Sequence, residues 1–203
     1  MKTKRIILTI LIVLFSMLIV ILPSRAASDM TVYADSLTSG WENGSWGAAI
    51  NFSNPSPVHS GSASIAATIN STQWGGLYLM SGAALDSNGY VGVSFWIHGG
   101  PTGGQHIDFK IIDSNNGNWN TAVSVTPVAN TWTQVTVNLA QVANPATIGG
   151  LVWQDSTGGS QPIFYVDDIV LIGYNGPTPT SPAPGQGPAL SVNAAVDQHA
   201  ISP

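Results

Sequence analysis

The sequence predicts an all-β domain in which two antiparallel sheets pack face to face. Short segments that alternate apolar and polar residues recur along residues 30–173, and glycine, serine, threonine and asparagine are abundant between them. In this region only residues 139–144 resemble a helical turn. Many short strands at this spacing are typical of β-sandwiches.

Each predicted strand is an alternating or apolar run bounded by turn-forming residues. In chain order we predict strands at residues 31–37, 48–52, 63–69, 74–80, 90–98, 106–112, 132–139, 148–154 and 161–173, with a further strand opened by Trp119. The turns between them fall at residues 40–47, 54–57, 59–62, 113–118 and 155–160.

Two of these strands alternate cleanly enough for their faces to be assigned. The residues that we expect to face the core are Val91, Val93, Phe95, Ile97, Ile107, Phe109 and Ile111. The opposite face of residues 106–112 then carries His106, Asp108 and Lys110, because neighbouring side chains on a strand point to opposite sides.

The longest apolar run, residues 161–173, is predicted to be a central strand. It carries two adjacent carboxylates, Asp167 and Asp168, so that one of them must point inward. A buried carboxylate needs a partner, and cations are scarce in this chain, which makes a metal ion the natural candidate. Of the two, we favour Asp167 as the residue that faces the metal, on the expectation that it shares a face with Tyr165, Ile169 and Leu171.

Residues 1–26 have the pattern of a secretory signal peptide. Three basic residues among the first five precede an apolar run from Ile6 to Leu22, and the small residues Ser24 and Ala26 precede the expected cleavage point. We therefore expect a secreted, extracellular protein that has no membrane attachment after cleavage. The alternative is an uncleaved N-terminal anchor, because the run is long for a signal peptide and short for a membrane span.

The charge of the remaining chain restricts its ligands. After residue 26, Lys110 is the only cation against ten acidic residues, which gives a net charge of −9 with neutral histidines. Nucleic-acid binding requires clustered cations, and anionic membranes or acidic ligands are disfavoured by the same charge. A neutral ligand is therefore favoured. The chain has no cysteine, so disulfides and thiolate chemistry are excluded.

The composition changes after Gly173, where the predicted domain of residues 27–173 ends. Residues 174–188 are rich in proline, threonine and glycine, which predicts an extended, disordered linker. Residues 189–203 regain strand-like alternation and then stop. We interpret them as the truncated start of a second domain.

Five motifs carry a resemblance to a known family. They are Val32-Tyr-Ala-Asp35, Val58-His-Ser-Gly-Ser-Ala-Ser64, Val93-Ser-Phe-Trp96, Asn130-Thr-Trp-Thr-Gln-Val-Thr-Val137 and Phe164-Tyr-Val-Asp-Asp-Ile169. In this order they resemble the jelly-roll carbohydrate-binding modules, of galactose-binding-domain-like topology, that are attached to secreted glycoside hydrolases. Residues 190–203 resemble the first strand of a family 44 glycoside hydrolase or of a related arabinofuranosidase-like β-domain, without its catalytic segment. The resemblance implies a jelly roll and a covalently linked hydrolase, and we expect a monomer.

The resemblance also implies a structural calcium ion. In the resembling modules, an acid of the first strand, carbonyls of a turn and an acid of the closing strand surround one calcium. The corresponding positions here are Asp35, the carbonyls of His59 and Ser62, and either Asp167 or Asp168. Oxygen ligands of this mixture are those that calcium prefers. The alternative is that these acids are solvated or cap turns.

Several tryptophans lie where an indole could stack on the apolar face of a sugar ring. The residues predicted to bind carbohydrate are Trp46, Trp74, Tyr78, Trp119 and Trp153 by stacking, and Asp108, Lys110 and Gln154 by hydrogen bonds. Trp96 and Trp132 are assigned to the fold because they lie in strand motifs. For each stacking tryptophan, the alternative is that it fills an end of the sandwich.

Catalytic signals are weak in this chain. Glu42 is the only glutamate, whereas glycoside hydrolysis needs a pair of carboxylates, and neither a Gly-x-Ser-x-Gly motif nor metalloprotease histidine spacing is present. We predict a non-catalytic module that binds a neutral plant polysaccharide (β-glucan, xyloglucan or xylan) and tethers a hydrolase to it. The alternatives are a small sandwich-fold hydrolase or lyase, and a secreted adhesion or structural domain.

Overall fold

The computed structural model describes residues 27–70, 73–115, 117 and 121–174. The predicted signal peptide, the start of a second domain and all but the first residue of the predicted linker lie outside the described residues, as does Trp119. Within the described part of the chain, no helix has the length and apolarity that a membrane span requires.

The described residues form eleven strands and two short 3₁₀ helices, which confirms the all-β prediction. The strands are β1 (Met30–Tyr33), β2 (Trp41–Asn43), β3 (Ala48–Asn54), β4 (Ser64–Ile69), β5 (Gly76–Asp86), β6 (Tyr90–His98), β7 (Ile107–Ile112), β8 (Val123–Val125), β9 (Trp132–Asn138), β10 (Thr147–Asp155) and β11 (Gln161–Gly173). The helices are Ser87–Gly89 and Leu139–Val142, the second of which lies at the predicted helical turn.

The strands divide into two antiparallel sheets. The first sheet has the order β3-β4-β11-β6-β9, and the second has the order β2-β5-β10-β7-β8. Strand β11 is central, as predicted: one of its edges pairs with β6, and the other pairs first with β4 and then with β1. The first and last described strands therefore lie side by side, and the Gly173 N–H donates to Asp29 Oδ1 at 2.8 Å.

An aromatic cluster lies at the centre of the core between the sheets. The ring of Phe95, from β6, lies 4.9 Å from that of Phe109 and 5.0 Å from that of Trp153, both in the second sheet. Burying one such side chain contributes roughly 1.5–3 kcal/mol. The predicted core faces of β6 and β7 are confirmed, except that Val91, near the start of β6, is exposed.

A bulge interrupts β11 at its two acids. The register with β6 shifts after Asp167, and Asp168 has φ +46°. Val166 faces the core before the bulge, and Ile169 and Leu171 face it afterwards. The prediction that Asp167 shares a face with Ile169 and Leu171 is therefore wrong, because the extra residue reverses the alternation.

Candidate functional site

Two aromatic side chains lie on the outer side of the second sheet, and a third, whose indole lies over Gly158 in the turn after β10, stands just before β5. We call Trp46, Trp74 and Tyr78 the aromatic face. Tyr78 points outward from β5 between two core leucines, and Trp46 is held beside the start of β5 by two backbone hydrogen bonds with Gly76. Both rings are half-buried, whereas Trp74, just before β5, is 52% exposed. An exposed indole beside two half-buried aromatic rings makes this a candidate binding surface.

Trp74 is held in an unusual backbone conformation, with φ +56°. Its carbonyl accepts hydrogen bonds from Trp46 Nε1 at 2.9 Å and from Gln154 Nε2 at 2.8 Å. Bulky residues adopt positive φ at a cost of about 1–3 kcal/mol, and such strain concentrates at functional sites. The two side-chain donors thus fix the segment that presents the exposed indole.

The rings of Trp46 and Tyr78 are not coplanar. Their centroids are 6.2 Å apart and their planes meet at 79°. A flat surface can therefore stack on only one of these two rings, whereas a flexible chain can contact both by bending across them.

Polar side chains lie beside the aromatic face on β7 and β10. Lys110 Nζ donates to Gln154 Oε1 at 2.7 Å, and Asp108 Oδ1 accepts from the Ser124 hydroxyl at 2.8 Å. Gln154 pairs across the strands with Asp108. The structure thus brings the three predicted polar residues together near Tyr78, where they offer hydrogen-bond donors and acceptors. Ser124, which the sequence did not single out, joins them because β8 pairs with β7.

The charge of Lys110 is moderated by its surroundings. Burial lowers the pKa of its ammonium group, while the carboxylate of Asp108 acts in the opposite direction. With its amine bound to Gln154, Lys110 is positioned as a hydrogen-bond donor beside the face rather than as an isolated surface charge.

Trp153 does not belong to the aromatic face. Its side chain is fully buried, and its ring packs against Phe95 and Phe109. The prediction that Trp153 presents its indole to a sugar is therefore wrong. Its neighbour Gln154 occupies the outer side of β10, so that Trp153 must point inward. Trp41, which begins β2, is likewise a core residue.

On the outer side of the first sheet, three carboxylates bind the turn at residues 59–63. Asp35 Oδ1 accepts the N–H groups of Ser62 at 2.5 Å and Ala63 at 3.0 Å. These two hydrogen bonds lower the pKa of the Asp35 carboxyl.

The acids of the β11 bulge bind the beginning of the same turn. Asp167 Oδ2 accepts the N–H of His59 at 2.9 Å, and burial raises the pKa of this fully buried carboxyl. Asp168 Oδ2 lies 2.6 Å from His59 Nδ1, and its Oδ1 accepts the Ser60 hydroxyl at 2.8 Å. The His59 ring stacks on Trp96 with centroids 3.7 Å apart, which agrees with the assignment of Trp96 to the fold.

The residues predicted to bind calcium therefore surround one turn. The turn presents N–H groups to Asp35 and Asp167, however, not the carbonyls of His59 and Ser62. Among the described residues, no group of three or more His, Cys, Asp or Glu side chains is arranged to hold a metal. The carboxylates bind N–H groups of the turn, and a calcium ion would have to displace these donors. Calcium stays a prediction.

Comparison with known proteins identifies the family and the fold. A family model described as "Expansin-like protein C-terminal domain" matches residues 32–173. No curated protein sequence matches the chain.

Solved structures of family 29 carbohydrate-binding modules have a similar fold. A mutant of one such module has a TM-score of 0.54 at 12% identity, covering 72% of this chain and 92% of that chain. One from Piromyces equi has a TM-score of 0.52 at 15% identity, covering 71% and 89%. A third, complexed with cellulohexaose, has a TM-score of 0.53 at 11% identity, covering 72% and 91%. These matches confirm the β-sandwich fold and the predicted resemblance to carbohydrate-binding modules.

Proposed function

This chain belongs to the expansin-like protein C-terminal domain family, and from that premise we propose that it binds a neutral plant polysaccharide without cleaving it. The observation that carries the proposal is the aromatic face, with Lys110, Asp108 and Gln154 beside it. Sugar rings present apolar C–H surfaces that stack on aromatic side chains, and their hydroxyls bind amide, carboxylate and ammonium groups.

A β-glucan, a xyloglucan or a xylan fits this face better than an acidic polymer does. Lys110 is the only Lys or Arg after residue 26, and Asp108 lies near it. Acidic polymers would therefore meet net repulsion, so binding has to come from stacking and hydrogen bonds. Affinity should then change little with salt concentration, because few ions are released.

The ring geometry favours a single polysaccharide chain over a flat crystalline surface. Because the planes of Trp46 and Tyr78 meet at 79°, a flat surface cannot stack on both rings, whereas a single chain can contact both by bending across them. We further propose that the bound chain brings an attached hydrolase close to its substrate, since tethering raises the effective concentration.

Affinity electrophoresis tests the binding proposal. Soluble xyloglucan, barley β-glucan, xylan and glucomannan are cast into gels, and we expect at least one to retard the protein. Trp74→Ala and Tyr78→Ala should each weaken binding about ten- to hundredfold, the equivalent of about 1–3 kcal/mol for one stacking contact.

Val128→Ala is the matched control, because Val128 is 51% exposed and lies outside the aromatic face. If no polysaccharide retards the wild type, the adhesion or structural alternative is favoured. If folded Trp74→Ala and Tyr78→Ala migrate like the control, the binding surface lies elsewhere.

The alternative of a small hydrolase is tested with the same protein. Glu42 is exposed on β2, and no second glutamate exists to complete a catalytic pair of that type. We expect no reducing sugar from the four polysaccharides above the level of Glu42→Ala. Release that depends on Glu42 would overturn the non-catalytic proposal.

A further inference from the structure

The ring of Tyr78 occupies space that two glycines leave open. A Cβ added at Gly44 would lie 2.7 Å from Tyr78 Cδ1, and one added at Gly150 would overlap Tyr78 Cε2. Gly44 donates its N–H to the Tyr78 carbonyl at 2.9 Å from beyond β2, and Gly150 lies on β10. Because β5 runs between β2 and β10, the two glycines flank Tyr78 from opposite sides.

The φ angles of Gly44 and Gly150 do not explain why glycine stands at these two positions. Neither Gly44 nor Gly150 is among the residues with positive φ. A glycine in a strand is unfavourable by roughly 0.5–1 kcal/mol relative to alanine, and often marks the close approach of another group. The group that approaches most closely at both positions is the ring of Tyr78.

We propose that Gly44 and Gly150 are positioning residues that hold the Tyr78 ring nearly perpendicular to Trp46, and so let one sugar chain contact both rings. The proposal rests on the proposed function, because it assigns the angle of 79° to ligand binding. Gly150 has a second close neighbour, the Leu79 carbonyl, whereas the three nearest atoms at Gly44 all belong to Tyr78. Gly44 is therefore the clearer test.

A double-mutant cycle separates this role from simple packing. It uses Gly44→Ala, Tyr78→Ala and the double variant, with Kd measured by calorimetry on barley β-glucan and xyloglucan. We expect Gly44→Ala to weaken binding about tenfold because the methyl group moves the ring out of the stacking position. In the Tyr78→Ala background the same change should have no further effect, since contacting residues couple and the ring is already gone.

Gly82→Ala is the matched control, because it lies in β5 and its added Cβ would meet only the Gly40 carbonyl, at 3.4 Å. It should bind like wild type. Wild-type affinity for Gly44→Ala, or additive losses in the double variant, would overturn the proposal.

Ring-proton NMR shifts of Tyr78 give a readout that does not require a ligand. The Trp46 ring lies 6.2 Å away, so a reoriented tyrosine should show changed shifts in Gly44→Ala and unchanged shifts in Gly82→Ala. Unchanged shifts in Gly44→Ala would also overturn the proposal. If wild type binds no polysaccharide, the proposed function fails, and the NMR shifts still decide whether Gly44 positions the ring.

Discussion

Trp74 has two energetically unfavourable features, an exposed indole and a positive φ, that are not expected of a residue kept only for stability. Its indole is largely exposed, and its backbone has a positive φ that bulky residues rarely adopt. Neither feature improves core packing. Both are explained if the residue is kept for contact with a ligand.

Trp74→Gly should therefore separate stability from binding. Glycine adopts positive φ without steric cost, so we expect a melting temperature equal to or above that of wild type. Affinity for the retarding polysaccharide should fall about ten- to hundredfold because the stacking ring is lost. Thermal unfolding and affinity electrophoresis measure the two effects.

Trp153→Ala provides the contrast for that experiment. It removes a fully buried ring, and we expect a loss of about 3–5 kcal/mol in the free energy of unfolding. If Trp74→Gly destabilises the protein to a similar extent, Trp74 is a packing residue and the strain argument is wrong.

The immediate neighbours of Trp74 and Trp153 look alike in the sequence. Both tryptophans lie beside glycine or glutamine at a strand end. The one local signal was Gln154: Trp153 and Gln154 are neighbours on one strand, so both cannot face the same ligand, and the polar residue is the one expected outside. That Trp153 is fully buried depends in addition on how β10 pairs between β5 and β7, which is a long-range property.

Among the described elements of the fold, the turn at residues 59–63 is the one that three carboxylates contact. Asp35, Asp167 and Asp168 converge on it, while Lys110, the only Lys or Arg among the described residues, is bound to Gln154 in the other sheet. The prediction of a calcium ion rests on this concentration of carboxylates, whose oxygens accept hydrogen bonds from the turn.

The calcium proposal predicts a higher melting temperature with calcium than with a chelator. Asp167→Ala should remove that difference, because this carboxylate would be both a ligand and the anchor of the turn. Gln134→Ala, at an exposed position on the same sheet, is the control and should keep the difference. Identical wild-type melting curves under both conditions would show that the hydrogen bonds alone hold the turn.

Strand positions were largely predictable, because alternation and turn residues are local signals. Strand β6 has the predicted bounds of residues 90–98. Strand β5 continues to Asp86 beyond the predicted end at residue 80, since its second half pairs with the start of β10. The bulge at Asp167 and Asp168 was not predictable, because a bulge is defined by the partner strand.

For the whole molecule, acid sensitivity should come from carboxylates that are better stabilised in the folded state. A hydrogen bond from the Thr147 hydroxyl, with N–H bonds from Asn115 and Ala146, lowers the pKa of the buried Asp113 carboxyl. Such a group stabilises the fold above its unfolded pKa of about 3.9, and this contribution is lost as the pH falls through the lower folded pKa.

Asp113→Asn should therefore flatten the acid side of the stability profile. We expect the variant to be less stable than wild type at neutral pH, and the difference to shrink steadily as the pH falls below about 4. Urea unfolding at several pH values between 7 and 2 measures this difference in the free energy of unfolding. Asp86→Asn is the control, because Asp86 is exposed whereas Asp113 is buried. A difference that stays constant with pH would mean that Asp113 contributes through geometry rather than ionisation.

The side-by-side position of β1 and β11 has a consequence for how this domain can be connected to other polypeptides. Tyr174 donates its N–H to the Gly89 carbonyl, just past the far end of β5, whereas Trp74 and Trp46 lie at its beginning. The eleven residues of β5 separate these two ends by roughly 30 Å. Any polypeptide joined before β1 or after β11 would therefore enter and leave at one corner, remote from the indole of Trp74. A domain with this geometry can be inserted into a surface loop of a host protein, or circularly permuted, while its aromatic face stays uncovered.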